Sequence, residues 1–91
     1  MKFEEALKVI QEKTRILTDH AQTAERASRT YTARMELYNI AASAGDEKEM
    51  QVNRDMLHTC VDTILDAGAM VAQLQKEIHE TAHKAEQPRS F

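Results

Sequence analysis

The stretch Ser43–Glu49, with the sequence SAGDEKE, lies near the middle of the 91-residue chain and carries its clearest signal for a reversal of direction. Gly45 is suited to the left-handed backbone conformation that ends a helix. Asp46 resembles the N-cap of a following helix, and Glu49 stands three residues later, where a capping-box partner belongs. The stretch therefore predicts that one helix ends here and that a second helix begins.

The sequence on either side of this turn has few residues that interrupt a helix. Apart from Gly45, the chain has one glycine, Gly68, and one proline, Pro88. Both flanking segments are rich in Ala, Glu, Lys, Gln, Arg, Leu and Met, which favour helix. Pro88 disfavours continuation of the second segment. We therefore predict an all-α fold with helices over about residues 3–43 and 47–86.

Apolar residues recur in both segments at alternating steps of four and three, the a/d pattern of helices that pack along one seam. The seam of the first segment is Phe3, Leu7, Ile10, Thr14, Leu17, Ala21, Ala24, Ser28, Tyr31, Met35, Tyr38 and Ala42. The seam of the second is Met50, Asn53, Leu57, Cys60, Ile64, Ala67, Val71, Leu74, Ile78, Thr81 and Ala85. The two seams face each other when the chain folds back about Ala44. This predicts a long antiparallel helical hairpin, with one domain over residues 1–87 and a short C-terminal tail over 88–91.

Three features of the second segment have structural interpretations. Gly68 is costly inside a helix, and its position beside Ala67 suggests a close approach of the two helices. Asn53, a lone polar residue in the seam near the turn, is typical of a residue that fixes helix register or partner number. Cys60 has a core position and is expected to pack as a small hydrophobe, because no histidine is placed to activate it.

A competing topology has three helices. The segment over residues 19–28 is the weakest part of the first helix in large apolar residues. A break near this segment would give a three-helix form, and the sequence leaves this alternative open.

Apolar residues outside the seams indicate interaction surfaces, because stripes at helical spacing usually bury against something. We predict that the hairpin assembles with itself into a four-helix bundle or a higher oligomer, and that it binds another protein. Asp55, Asp62 and Asp66 lie beside the stripe that contains Leu37, Ile40 and Val52 and could select a basic partner. The predicted partner-binding residues are Ala33, Leu37, Ile40, Ala44, Val52, Met56, Val9 and Ile16.

A second candidate site is the local basic cluster in residues 25–39, ERASRTYTARMELYN. Arginine binds phosphate in a fork geometry and tyrosine rings stack on bases, so subunits could enclose an anionic, nucleotide-like ligand here. Charge clusters on helices are more often solvated faces. The possible anion-binding residues are Arg26, Arg29, Arg34, Tyr31 and Tyr38.

The stretch EIHETAH, residues 77–83, contains the HExxH pattern of zinc proteases. With Ile78 and Ala85 in the seam, His79 and His83 fall at outer heptad positions and point to solvent. A catalytic zinc site also needs a third ligand and a cleft, and two long helices offer neither. We therefore predict no metal site, with His79 and His83 as a weak metal-binding possibility only.

Composition sets the remaining expectations. A net charge of −3 argues against a duplex-DNA-binding surface. No apolar run is long enough to span a bilayer, and the charged N-terminus is unlike a secretory signal, so we expect a cytoplasmic protein. We expect no cofactor and no enzymatic activity.

The function predicted from the sequence is protein binding by an oligomeric helical adaptor, chaperone or inhibitor. The alternative is a small-molecule binder that sequesters the anionic ligand between subunits.

Overall fold

The computed structural model describes residues 2–85, which form an antiparallel hairpin of two helices. Helix α1 spans Phe3–Ala44 and helix α2 spans Glu47–Lys84. The hairpin is narrow and extends 72 Å along its long axis. The predicted all-α helical hairpin is confirmed, with α1 ending one residue later and α2 two residues earlier than expected. The predicted tail over residues 88–91 lies outside the described residues.

The turn contains only two residues between the helices. Gly45 adopts the left-handed conformation, with φ 69° and ψ 24°, and its N–H donates to the carbonyl of Ala42 at 3.2 Å. The N–H of Asp46 donates to the carbonyl of Ala41 at 2.9 Å, which completes a Schellman C-cap. The Asp46 carboxylate accepts from the N–H of Glu49 at 3.1 Å. The predicted caps are confirmed, except that the Asp46 N–H bonds Ala41 instead of the Glu49 side chain.

Helix α1 is continuous through residues 19–28, so the alternative with a break in this segment is wrong. The segment lacks Gly and Pro, and its alanines and glutamine favour helix even where few side chains pack. Its threonine, Thr23, donates its hydroxyl to the carbonyl of Asp19 in the same helix. A scarcity of large apolar residues therefore weakens packing in this segment without ending the helix.

The seam predicted for α2 is the one that packs against α1. All of its members are buried or half-buried, and the most deeply buried recur every seven residues at Asn53, Cys60, Ala67, Leu74 and Thr81. On this helix a single side carries the continuous apolar row, so the sequence predicts one packing side without a competing alternative.

The seam predicted for α1 is wrong in half of its positions. Ile10, Leu17, Ala24, Tyr31, Met35 and Tyr38 are half-buried as expected, but apart from Met35 the second set of seam positions is displaced by one residue. The predicted members Phe3, Leu7, Thr14, Ala21, Ser28 and Ala42 are exposed. In their place, the residues turned toward α2 are Ala6, Lys13, His20, Ala27, Arg34 and Ala41.

The turn explains this displacement. The Ala41 carbonyl accepts the Asp46 N–H, so Ala41 lies beneath the turn and is buried. The other residues turned toward α2 lie at multiples of seven positions before Ala41, so they share its side of α1. That set contains Lys13 and Arg34, whose charged heads donate to Glu77 and Asn53 of α2. The turn consists of Gly45 and Asp46, so it follows the position of Ala44, about which the sequence predicts that the chain folds back.

Gly68 also differs from its prediction. It is exposed, and a Cβ added to it would meet no other atom within 4 Å, so no close approach between α1 and α2 requires a glycine there. The neighbouring Ala67 is the residue that packs in the seam. Nothing within the described hairpin explains Gly68.

The core of the hairpin is thin. Among the described residues, the buried apolar side chains are mostly alanine, and Leu74 is the one large aliphatic residue among them. Eight large apolar residues remain exposed: Phe3, Leu7, Leu37, Ile40, Val52, Val61, Leu65 and Met70. Two helices share only one seam, so these side chains have no site inside the hairpin.

Candidate protein-binding faces

The hairpin presents two broad faces, one on each side of the plane that contains its helices. Residues seven apart on either helix lie on the same face. Grooves between the helices show which positions belong together: Leu37 and Ala44 line one groove with Glu49, and Thr23 lines another with Thr63 and Met70. On the opposite side, a groove is lined by Ser28, Tyr31, Val61, Ile64 and Leu65.

The first side is named the acidic face. Its central positions are Val9, Ile16, Thr23, Thr30, Leu37 and Ala44 on α1 and Glu49, Met56, Thr63, Met70, Glu77 and Lys84 on α2. Its edge positions are Glu5, Glu12, Asp19, Arg26, Ala33 and Ile40 on α1 and Val52, Thr59, Asp66, Gln73 and Glu80 on α2.

The second side is named the neutral face. Its central positions are Leu7, Thr14, Ala21, Ser28, Met35 and Ala42 on α1 and Glu47, Arg54, Val61, Gly68, Gln75 and Ala82 on α2. Its edge positions are Glu4, Gln11, Thr18, Glu25, Thr32 and Asn39 on α1 and Gln51, His58, Leu65, Ala72 and His79 on α2.

The structure places all eight predicted partner-binding residues on the acidic face. Six of them form a turn-proximal cluster: Ala33, Leu37, Ile40, Ala44, Val52 and Met56. Within this cluster Ile40 is 65% exposed, and Leu37 and Val52 are also exposed. Val9 and Ile16 are half-buried and line a groove far from the turn. The fold thus places six of the eight residues near the turn and leaves Val9 and Ile16 apart from them, and the role of all eight in binding stays a prediction.

The polar groups of this face are mainly acidic. Glu49 and Asp46 border the turn-proximal cluster, and Asp66 lies in the middle of the face beside Met70. Nearer the chain ends, the Lys13 ammonium lies 2.7 Å from a carboxylate oxygen of Glu77 and joins the two helices. This contact is the main cause that holds the pKa of Glu77 below its ordinary value. The face therefore combines exposed apolar side chains with negative charge.

Asn53 lies at the inner wall of the turn-proximal groove and is only 2% exposed. Its amide donates to the Glu49 carbonyl at 2.9 Å, and its side-chain oxygen accepts from the Arg34 guanidinium at 3.4 Å. Because Arg34 is on α1 and Asn53 is on α2, this hydrogen bond joins the helices at one register. The pairing gives physical support to the predicted register role of Asn53.

The residues of the predicted anion site do not converge within one hairpin. Arg29 pairs with Glu25 on its own helix, and Arg34 bonds Asn53 across the seam. Arg26 is exposed at the edge of the acidic face, whereas Tyr31 and Tyr38 are half-buried in the seam. A binding pocket would need residues from a second subunit, so the anion-binding hypothesis stays a prediction.

His79 and His83 are exposed on α2, with ring centroids 5.0 Å apart in an edge arrangement. Within residues 2–85, no three side chains of the metal-binding types come together as a ligand cluster. Glu86, which could extend this pair by one helical turn, lies outside the described residues. The structure thus places the two histidines as the register predicts, on the solvent side of α2.

Sequence reasoning missed the division of the chain into an acidic and a neutral side. Val61 and Leu65 were recognisable as apolar residues outside the seam, but the shifted packing side of α1 decides which residues of that helix accompany them. Sorting charged residues by heptad position would have shown the asymmetry on α2, where the seam is unambiguous.

No family model matches the chain, and no curated protein or solved structure matches it either. In the part of the chain that the structure describes, no helix combines the length and apolar character needed to cross a membrane.

Proposed function

We propose that this chain is a non-enzymatic, oligomeric helical protein that acts by binding another protein through its acidic face, as an adaptor, chaperone or inhibitor. The observation that carries the proposal is the turn-proximal cluster, where Leu37 and Ile40 are exposed at a groove between the helices and Val52 is exposed on the same face. Contiguous exposed apolar surface rimmed by polar groups is typical of an interaction site.

The partner is proposed to offer an apolar helix or groove bordered by basic residues. The cluster supplies apolar anchors at helical spacing, which suits docking against a helix. Glu49 and Asp46 beside it, and Asp66 further along, would attract lysine and arginine side chains during encounter. Added salt should therefore lower the association rate constant more than it raises the dissociation rate constant.

The proposal is tested with the variants Leu37→Asp and Ile40→Asp. Both add charge to exposed positions, so helix content by circular dichroism should stay unchanged while partner capture is lost. Gln22→Asp is the matched control, because Gln22 is exposed on the outer side of α1, away from both faces. A partner identified with the wild type should be retained by Gln22→Asp. Equal capture by all the variants would overturn the proposal.

A further inference from the structure

We infer that the neutral face is the self-association surface, and that its occupant is a second copy of this chain packed antiparallel to the first, so that each helix stacks on its own copy in a four-helix bundle. The inference rests on the oligomeric part of the proposed function and assigns a surface to it. The acidic face stays free for a different protein.

Charge distinguishes the two faces. A two-fold axis brings a surface onto itself, so like charges near its centre would oppose one another. Self-association through the acidic face would bring Glu49 and Asp66 toward a second acidic surface. On the neutral face the charged positions are Glu4, Glu25, Glu47 and Arg54, fewer than the acidic face carries. Glu25 is neutralised by Arg29, and depletion of charge is the mark of an interface core.

The neutral face also carries apolar side chains that the hairpin leaves uncovered. Leu65 is 65% exposed, and Val61 and Leu7 are exposed as well. Val61 and Leu65 border the groove that contains Tyr31 and Ile64, so an entering side chain would extend the existing seam. A second hairpin would convert this thin seam into a bundle core.

Gly68 supplies an independent observation. In the middle of a helix, glycine costs about 1 kcal/mol relative to alanine, and the hairpin neither packs against Gly68 nor holds it at positive φ. It lies near the midpoint of α2 and at the centre of the neutral face. A two-fold axis at this point would bring the backbone of α2 close to its own copy, and a glycine permits that approach.

The same axis makes the face complementary to itself. With Gly68 opposite its own copy, antiparallel stacking sets Leu65 of α2 against Ala72 of the second copy. The contact between Lys13 and Glu77 places Ala21 of α1 nearly level with Gly68, so on α1 a second small residue would face its own copy.

The area of the face is sufficient for a stable dimer. A surface 72 Å long and 13 Å wide between backbone positions amounts to about 900 Å² per hairpin, against roughly 800 Å² per partner in a standard protein interface. A dimer therefore needs only this one face.

The first test compares Leu65→Asp with Leu37→Asp by sedimentation equilibrium of the full chain. Leu65→Asp should reduce the mass to the 10.4 kDa of one chain, while Leu37→Asp and Gln22→Asp should keep twice that mass. If Leu37→Asp dissociates the dimer and Leu65→Asp does not, the inference is overturned. Partner capture by Leu37→Asp is scored separately, so failure of the proposed function is distinguishable from failure of this inference.

The second test needs no destabilising substitution. In a Cys60→Ser background, Gly68→Cys should form a disulfide-linked dimer rapidly under mild oxidation, whereas Gln22→Cys should not. Spin labels on Ser43→Cys in the same background report orientation. Antiparallel hairpins place these labels roughly 60 Å apart, from the helical rise over the length of α1. Absence of the Gly68→Cys crosslink, or a label separation under about 30 Å, a distance that parallel hairpins of this width would give, contradicts the inference.

Discussion

At the scale of single residues, the hairpin is aligned by a small number of polar contacts, since most of its buried apolar side chains are alanines. Asn53 is buried and bonds both its own helix and Arg34 of the other. Gly45 and Asp46 complete the turn with backbone bonds to the end of α1. The hydrogen bonds of these groups form at only one alignment of the two helices. An alanine-rich seam by itself does not select that alignment.

We predict that Asn53→Ala lowers the free energy of unfolding by about 1–2 kcal/mol, because Arg34 loses its acceptor and a buried side chain is removed. Asn39→Ala is the matched control, because Asn39 is exposed on α1. Urea unfolding monitored by circular dichroism measures both. Equal stability of the two variants would show that the Arg34–Asn53 bond does not align the helices.

The contact between Lys13 and Glu77 predicts a specific pH dependence. The pKa of Glu77 is lowered in the folded state, so its ionised form stabilises the fold above the ordinary value of 4.5. That contribution is lost as the pH falls through the lowered folded pKa. Lys13→Met should therefore lower the Tm at neutral pH, and the difference from the wild type should shrink under acidic conditions.

Lys76→Met is the control for this pair, since Lys76 is exposed on the outer side of α2. It removes the same charge without touching Glu77. A Lys13→Met effect that persists unchanged well below pH 4.5 would indicate lost packing of the lysine stem instead of a lost ion pair.

At the scale of helices, the sequence predicted the turn, both helices and the packing side of α2, but not the packing side of α1. On α2 the apolar seam has no rival, and its predicted members are the buried ones. On α1 the half-buried row that contains Ile10 and Leu17 is flanked by two sets of positions, one with Ala41 and one with Ala42. The set with Ala42 is uncharged, so the apolar pattern favours it. The hydrogen bonds of the two-residue turn select the other set, and pattern alone does not contain that constraint.

The packing side of α1 predicts that leucine substitutions at two neighbouring alanines cost different amounts of folding stability. Ala41→Leu should cost about 1–3 kcal/mol of folding stability, because it overpacks a buried position beneath the turn. Ala42→Leu should cost much less, since Ala42 is exposed. Chemical denaturation of the two variants measures the difference. If Ala42→Leu costs more stability than Ala41→Leu, α1 packs through the side that its sequence predicts, and the packing side described here is wrong.

At the scale of the whole molecule, the hairpin has more apolar surface than its single seam uses. The positions of both candidate faces follow from the heptad pattern once the side of α1 is known, which is why the sequence located the turn-proximal cluster but not the neutral face. Exposed Leu65 on one side and exposed Ile40 on the other suggest two separate occupants. The difference in charge between the faces supports a second copy on the neutral face and a different, basic partner on the acidic face.

The most direct measurement of the central claim is the mass of the wild-type chain in solution across a range of protein concentrations. Sedimentation equilibrium should give twice the 10.4-kDa mass of one chain at micromolar concentration, and the Tm should rise with concentration because dimerisation stabilises the folded state. A mass of 10.4 kDa at every concentration, with a Tm that does not change, would contradict the claim that this hairpin is half of a bundle.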